Sequence, residues 1–217
     1  MSMNALVSWS GGKDSCYATM LAQQQGFVIK GFLAVLNEEG AISRSHGIPA
    51  EILKAQAKAA GVPMQTIAAS WQEYEEKFTA ALIEAKEKWD VSHVIFGDID
   101  LDEHRAWEEK VCDKAGLQAV LPLWKKDRKE LVLQMIDEGM QMLIVSCNTK
   151  MGEQFLGRYL TKELVDELEA LGIDPCGEEG EFHTLVTDYK TSHFPFKVVI
   201  KEKLLHNDYW FCNLQLQ

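Results

Sequence analysis

The chain has 217 residues, of which 47% are hydrophobic and 25% charged, and its formal net charge at pH 7 is −11. This composition is that of a water-soluble globular protein, and the length allows one large α/β domain, alone or with a small additional subdomain. The negative charge disfavours a nucleic-acid partner, which usually needs an excess of lysine and arginine, and no apolar run approaches the ~20 residues that span a bilayer.

Apolar segments typical of strands alternate with segments of helical spacing over the first 124 residues. The pattern predicts strands at 6–9, 28–36, 64–68, 93–97 and 118–121, and helices at 16–25, 49–60, 74–89 and 102–115. Strict alternation of strands and helices indicates a parallel sheet covered by helices on both faces. We therefore predict an α/β fold with a doubly wound, five-stranded, Rossmann-like parallel sheet in residues 1–124.

The alternation ends after Pro122. Helices are predicted at 127–138 and 162–171, and strands at 142–146, 185–189, 197–203 and 209–216. The last two strands flank residues 205–208, which is typical of a hairpin. We therefore expect a smaller α+β subdomain in residues 125–217.

Five cysteines are spread along the chain without a Cys-x-x-Cys pair. This predicts free, mostly buried thiols rather than a disulfide framework or a zinc site. The N-terminus has neither a basic region nor a small-residue cleavage site, so we expect a cytoplasmic protein with no membrane partner.

A glycine-rich run, Ser10-Gly11-Gly12-Lys13-Asp14-Ser15, lies between the first strand and the first helix. Glycines allow a sharp turn and a close approach to a ligand, and a helix start offers unpaired N–H groups to an anion. The run is not a Walker A loop, because Leu6 stands at the first glycine position and Asp14 at the hydroxyl position. It predicts a different phosphate loop. The alternative is a glycine turn followed by a helix cap from Asp14 or Ser15.

Two further polar segments follow predicted strands, where ligands of doubly wound sheets bind. Residues 37–47 carry His46, and Gly97-Asp98 closes the fourth strand, where a glycine permits close approach to a ribose or phosphate. The helix after it presents three polar side chains on one face: His104, Arg105 and Glu108. A solvated loop and an ordinary ion-paired helix face are the alternatives.

A third cluster, residues 177–184, has three glutamates and a histidine within six residues, next to two glycines. Glu178, Glu181 and His183 could bind an amine, hold a metal or act as acid and base. A solvent-facing acidic loop is the alternative.

Several segments together carry a family resemblance: the glycine-rich run, Gly97-Asp98-Ile99 with His104-Arg105-x-Trp107-Glu108-x-x-Val111-Cys112, Leu121-Pro122-Leu123-Trp124, Leu156-Gly157-Arg158 and Gly177-Glu178-x-Gly180-Glu181-Phe182-His183-Thr184. They resemble the diphthine–ammonia ligase family, within the adenine nucleotide alpha hydrolase superfamily, over nearly the whole chain. The resemblance implies a HUP fold with a pyrophosphate loop.

The resemblance also implies a reaction. ATP would activate the carboxyl group of diphthine, a modified histidine of translation elongation factor 2, as an acyl-adenylate, and ammonia would displace AMP. It implies ATP and Mg²⁺ as cofactors, and ammonia and a protein or small carboxylate as partners. A homodimer is left open.

Carried over to this sequence, the resemblance assigns three sets of residues. ATP would be bound by Ser10, Gly11, Gly12, Lys13, Asp14, Ser15, Gly97, Asp98 and His46, with Asp14 also contacting the metal. The acceptor would be bordered by His104, Arg105 and Arg158. The acid–base chemistry would belong to Glu178, Glu181, His183 and Glu108.

Two other functions stay open. The first is a tRNA-modifying adenylating enzyme with the same loop, against which the acidic charge and the lack of paired cysteines weigh. The second is a nucleotide-sensing binding protein of the same fold, although such proteins resemble this chain less because they lack the glycine-rich run.

Overall fold

The computed structural model describes residues 3–189 and 196–217. The described residues fall into two compact units. The first takes in the chain up to Ser10, Asp14–Arg44 and Gly61–Lys125, and the second takes in Gly11–Lys13, Ser45–Ala60 and the chain from Lys126 onward. The boundary between residues 124 and 125 stays a prediction, and two earlier segments of the chain group in space with the second unit.

The secondary structure alternates as expected over the first part of the chain. The strands are β1 (Met3–Ser8), β2 (Phe27–Leu36), β3 (Met64–Ala68), β4 (His93–Ile95), β5 (Gln118–Val120), β6 (Gln141–Asn148), β7 (Phe182–Asp188), β8 (Val198–His206) and β9 (Tyr209–Leu216). The helices are α1 (Lys13–Gln24), α2 (Ala50–Ala59), α3 (Tyr74–Trp89), α4 (Asp102–Ala115), α5 (Arg128–Asp137) and α6 (Lys162–Ala170), with a 3-10 turn at Glu153–Phe155.

The first unit contains a five-stranded sheet of order β3-β2-β1-β4-β5, and every pairing in it is parallel. This confirms the predicted parallel sheet. The apolar faces of α3 and α4 pack on it, with Phe78 and Leu82 from α3 and Val111 from α4 in one cluster with Leu6 and Leu33 of the sheet. The chain leaves β1 to form β2 on one side and later returns to form β4 on the other, so the strand order reverses at β1.

The second unit contains an antiparallel sheet of order β7-β6-β9-β8. The predicted hairpin is present between β8 and β9, where Asn207 takes a left-handed backbone conformation with φ of +52°. Strand β7 begins at Phe182, three residues before its predicted start. The segment 182–184 is therefore part of a strand and not of a loop, because its backbone pairs with β6.

All five cysteines are buried, as predicted. In the described part of the chain, no helix is both long enough and apolar enough to cross a membrane.

Candidate functional site

In the first unit, the ends of the glycine-rich run lie against the segment that follows β4. The hydroxyl groups of Ser10 and Ser15 are 3.0 Å apart, and the Ser10 N–H points to the Ser15 hydroxyl at 3.4 Å. A Cβ atom on Gly97 would lie 2.7 Å from the Ser15 nitrogen and 2.8 Å from the carbonyl carbon of Asp14. The missing side chain of Gly97 therefore lets the backbone after β4 approach the start of α1 directly.

The middle of the run, Gly11–Lys13, belongs to the second unit. Gly11 has φ of +83°, a conformation that favours glycine. Its carbonyl accepts hydrogen bonds from the Gln56 side chain at 3.0 Å and from the Val186 N–H at 3.0 Å. The Gln56 amide also donates to the Val186 carbonyl at 2.8 Å. One buried side chain of α2 thus joins the glycine turn to β7.

Lys13 is the most constrained charged residue of the run, since only 3% of it is exposed. Its backbone N–H donates to the Thr184 hydroxyl at 3.1 Å, and its ammonium group donates to the Cys176 carbonyl. The ammonium also lies 5.7 Å from the centre of the Phe182 ring. The Lys13 ammonium is therefore buried against the turn before β7.

His46 and His183 lie side by side in the second unit, with ring centres 4.5 Å apart. Burial, then the neighbouring His183 and Lys13, lowers the pKa of His46 well below its usual value. Burial and then Lys13 lower the pKa of His183 to about 4. Both imidazoles are therefore neutral at pH 7 and can accept a proton or a hydrogen bond.

The glutamates of the acidic cluster are engaged with the turn before β7. The Glu181 carboxylate accepts from the backbone N–H of Asp174 at 3.4 Å and of Glu179 at 3.1 Å. The Glu178 N–H donates to the Asp174 carboxylate at 3.2 Å, and Arg128 pairs with that carboxylate at 2.7 Å. Glu178 and Glu181 are thus close in one turn, whereas the ring contact of His183 is with His46.

A second acid–base group lies in the first unit, in the segment that follows β4 and on α4. His104 donates from Nδ1 to the Asp98 carboxylate at 2.7 Å. Glu108 is 3% exposed, and burial, with a hydrogen bond to Asp98, raises its pKa to about 11. At neutral pH Glu108 therefore holds a proton, and Asp98 carries the negative charge.

Two predicted acceptor residues are already in ion pairs. Arg105 bonds Glu109 at 2.7 Å and lies with its guanidinium carbon 5.1 Å from the centre of the Trp124 ring. Arg158 makes a two-pronged ion pair with Glu167 of α6, at 2.9 and 2.5 Å. Arg158 therefore contacts α6, through Glu167, and is not paired with His46 or His183.

The structure thus brings the predicted residues together in separate groups: Ser10, Asp14, Ser15 and Gly97; Gly11, Gly12, Lys13, His46 and His183; Glu178 and Glu181; Asp98, His104 and Glu108. Sequence reasoning missed Gln56, Asp174 and the roles of Thr184 and the Cys176 carbonyl. Gln56 did leave a signal, because it is a single amide on the apolar face of α2 formed by Ile52, Leu53, Gln56, Ala57 and Ala59.

Among residues 3–189 and 196–217, no group of three or more His, Cys, Asp or Glu side chains is arranged to hold a metal ion. The metal contact expected for Asp14 stays a prediction.

Two protein-family models match the chain and together span most of its length. A model of the diphthamide synthase N-terminal domain matches residues 3–119, and a model of the diphthamide synthase C-terminal domain matches residues 127–217. The chain belongs to the diphthamide synthase family. The resemblance inferred from the glycine-rich run and the Gly-Glu-x-Gly-Glu cluster is confirmed.

Individual relatives match at modest identity over most of the chain. Human diphthine–ammonia ligase is 26% identical, covering 95% of this chain and 86% of the human protein. The zebrafish (Danio rerio) diphthine–ammonia ligase is 27% identical, and the alignment covers 92% of this chain and 88% of the zebrafish protein. The Schizosaccharomyces pombe diphthine–ammonia ligase is 24% identical over 99% of this chain, which spans only 39% of the yeast protein.

Among solved structures, a protein of Methanocaldococcus jannaschii, described as a predicted subunit of tRNA methyltransferase, aligns with a TM-score of 0.47. It is 15% identical, with 88% of this chain and 100% of that chain covered.

Proposed function

We propose that this chain is an ATP-dependent ligase that forms an amide from a carboxylate and ammonia, releasing AMP and pyrophosphate. The proposed acceptor is the carboxyl group of diphthine on translation elongation factor 2, where the host makes that residue. The observation that carries the proposal is the match of both diphthamide synthase domain models to a chain with an intact Ser-Gly-Gly-x-Asp-Ser run.

The reaction has two balanced steps. In the first, a carboxylate oxygen attacks the α-phosphorus of ATP, the bond to the β-phosphate oxygen breaks, and pyrophosphate leaves. In the second, the nitrogen of ammonia attacks the acyl carbon, the bond to the AMP oxygen breaks, and one proton is released. The acyl-adenylate reacts readily with water, so the second step needs a site from which water is excluded.

The glycine-rich run is proposed to hold the phosphates. Its backbone turns at Gly11, α1 starts at Lys13, and the buried ammonium of Lys13 adds a fixed positive charge. ATP would arrive as its Mg²⁺ complex, and Asp14, in the first turn of α1, is proposed to contact that metal. Gly97 and Asp98 follow β4 and are proposed to bind the ribose or the α-phosphate.

The acid–base residues are proposed for the second step. Glu178 and Glu181 would collect ammonium and take up its proton, because a carboxylate near an amine favours both. His104 would border the acceptor and hydrogen-bond to Asp98. Glu108 would hold a proton that stabilises the Asp98 charge.

The test is product analysis with purified protein, ATP, Mg²⁺, ammonium and elongation factor 2 that carries diphthine. We expect AMP and pyrophosphate in equal amounts with the amide, detected by chromatography and by mass spectrometry of the acceptor. The Lys13→Ala/Asp14→Ala double variant should form none of them while remaining folded. ADP and phosphate as the products, or no turnover with the diphthine acceptor, would contradict the proposal.

A further inference from the structure

The two histidines beside the glycine-rich run have a geometry suited to an anion. A Cβ atom on Gly12 would lie 2.7 Å from the His46 Nε2 atom and 3.1 Å from the Thr184 carbonyl oxygen. The His46 ring therefore reaches the backbone of the run only because residue 12 has no side chain. His183 stands beside it on β7, directly before the Thr184 hydroxyl that accepts from the Lys13 N–H.

The charge around this pair is positive. Lys13, from the start of α1, acts on the pKa of both imidazoles, and His183, from β7, acts on that of His46. The nearby Glu181 directs its carboxylate oxygens to the N–H groups of Asp174 and Glu179. A buried cation beside two neutral imidazoles attracts an anion, and the anion in turn favours protonation of the rings.

One further polar group lies on the same face of the sheet. Ser146 of β6 pairs directly opposite His183, and directly opposite residues project to the same side. Ser146 is fully buried, and within the described residues its hydroxyl has no hydrogen-bond partner. A buried hydroxyl without a hydrogen-bond partner indicates a position where a water molecule or a ligand group supplies that partner.

We propose that His46 and His183, with the Lys13 ammonium group and the backbone amides of Gly11 and Gly12, form a pyrophosphate site that takes up a proton from solvent when the anion binds. This inference rests on the proposed function, because pyrophosphate is the leaving group of that reaction. The ring of His183 contacts His46 beside the glycine-rich run. We therefore assign His183 to pyrophosphate binding instead of to the ammonia step.

The expected uptake is about one proton per pyrophosphate, because two imidazolium rings at this separation repel each other and the second protonation is suppressed. The protonated ring then donates a charge-assisted hydrogen bond to a phosphate oxygen. Since the bound anion raises the pKa of the pair, pyrophosphate binding is expected to strengthen as the pH falls from 8 to 6.

The experiment measures pyrophosphate binding to the whole protein by calorimetry at pH 7, in two buffers of different ionisation enthalpy. The protons taken up by wild type are compared with those of a His46→Asn/His183→Asn variant, which corrects for protonation of pyrophosphate itself. We expect a difference of about one proton and a loss of affinity of ~10-fold in the variant. His206→Asn, an exposed histidine at the end of β8, is the matched control and should behave as wild type.

Nitrogen NMR of the histidine rings provides a second readout. We expect both rings to be neutral without pyrophosphate, and one to become imidazolium at saturation. Absence of pyrophosphate binding, or binding with both rings still neutral and the same proton count in wild type and variant, would overturn the site. Because these assays need no acceptor and no turnover, their failure is distinct from a failure to form AMP and amide.

Discussion

Glu108 hydrogen-bonds to Asp98 inside the first unit, and the two carboxyl groups divide one proton unequally. Burial, followed by the contact with Asp98, raises the pKa of Glu108 to about 11. Burial opposes the charge on Asp98 as well, yet hydrogen bonds from His104 and Glu108 lower the pKa of Asp98 below its usual value. At neutral pH the pair therefore carries one negative charge, held at the carboxyl end of β4.

The first prediction concerns the pH dependence of stability. Above pH 4.5, the usual pKa of Glu108, the unfolded chain loses the Glu108 proton while the folded chain keeps it. The free energy of unfolding should then fall as the pH rises, by up to about 1.4 kcal/mol per pH unit from this group. Glu108→Gln keeps a hydrogen-bond donor of similar shape and cannot ionise. The free energy of unfolding of this variant, relative to that of wild type, should therefore increase from pH 5 to pH 9.

Urea unfolding at pH 5, 7 and 9 checks this prediction. The control is Glu109→Gln, on the same helix but half exposed and paired with Arg105, which should follow the wild-type profile. Parallel profiles for Glu108→Gln and wild type would show that Glu108 is ionised in the folded protein.

How far the sequence predicts this molecule can be judged from particular residues. The central strands were predictable because burial on both faces gives continuous apolar runs, as in Ala5–Val7 of β1. The start of β7 was not, because His183 and Thr184 interrupt its apolar pattern and pairing with β6 fixes it instead. The contact between His46 and His183 was not predictable either, because the two residues lie far apart in the sequence and meet only through tertiary packing.

The second prediction uses two glycines that face different neighbours. Gly97→Ala would bring a Cβ atom against the backbone of Asp14 and Ser15, whereas Gly31→Ala would bring one against the Trp89 ring. Each should cost ~1–3 kcal/mol of stability, because neither neighbour has room. Only Gly97→Ala should also weaken ATP binding, by ~10-fold or more, since it moves the N-terminus of α1.

Thermal unfolding and ATP titration of the two variants separate these effects. Equal losses of ATP affinity in both would mean that the loss follows general destabilisation, and the close approach of Gly97 to the run would then have no bearing on the nucleotide.

The third prediction concerns Glu181. If its carboxylate takes up a proton in the ammonia step, Glu181→Gln should slow amide formation by about two orders of magnitude while ATP affinity stays nearly unchanged. Glu181 also accepts from the N–H groups of Asp174 and Glu179, so the turn must be monitored as well. Backbone NMR shifts of residues 174–180 provide that measurement.

Glu179→Gln is the matched control, because Glu179 lies in the same turn with its exposed carboxylate 3.8 Å from Arg128. It should retain full ligase activity. A Glu181→Gln variant that keeps full activity, or one whose loss of activity accompanies a rearranged turn, would assign Glu181 a structural role only.

The fourth prediction decides between two roles for Arg158, the predicted acceptor residue that the structure pairs with Glu167. Both partners are partly exposed, so solvent screening keeps the contribution of the ion pair to stability small. Arg158→Ala and Glu167→Ala should therefore each lower stability slightly, and Arg158→Ala should lower it more, because it also removes the guanidinium that lies 5.2 Å from the centre of the Phe155 ring.

Their effects on catalysis should differ. If Arg158 binds the acceptor, Arg158→Ala should raise the KM for the diphthine acceptor by ~10-fold, the size expected for one charge-assisted hydrogen bond. Glu167→Ala leaves the guanidinium in place without its competitor, so the KM for the acceptor should stay the same or fall. Steady-state kinetics on the two variants and on the double variant test this. Equal changes in KM for both single variants would mean that Arg158 acts through its ion pair with α6 and makes no contact with the acceptor.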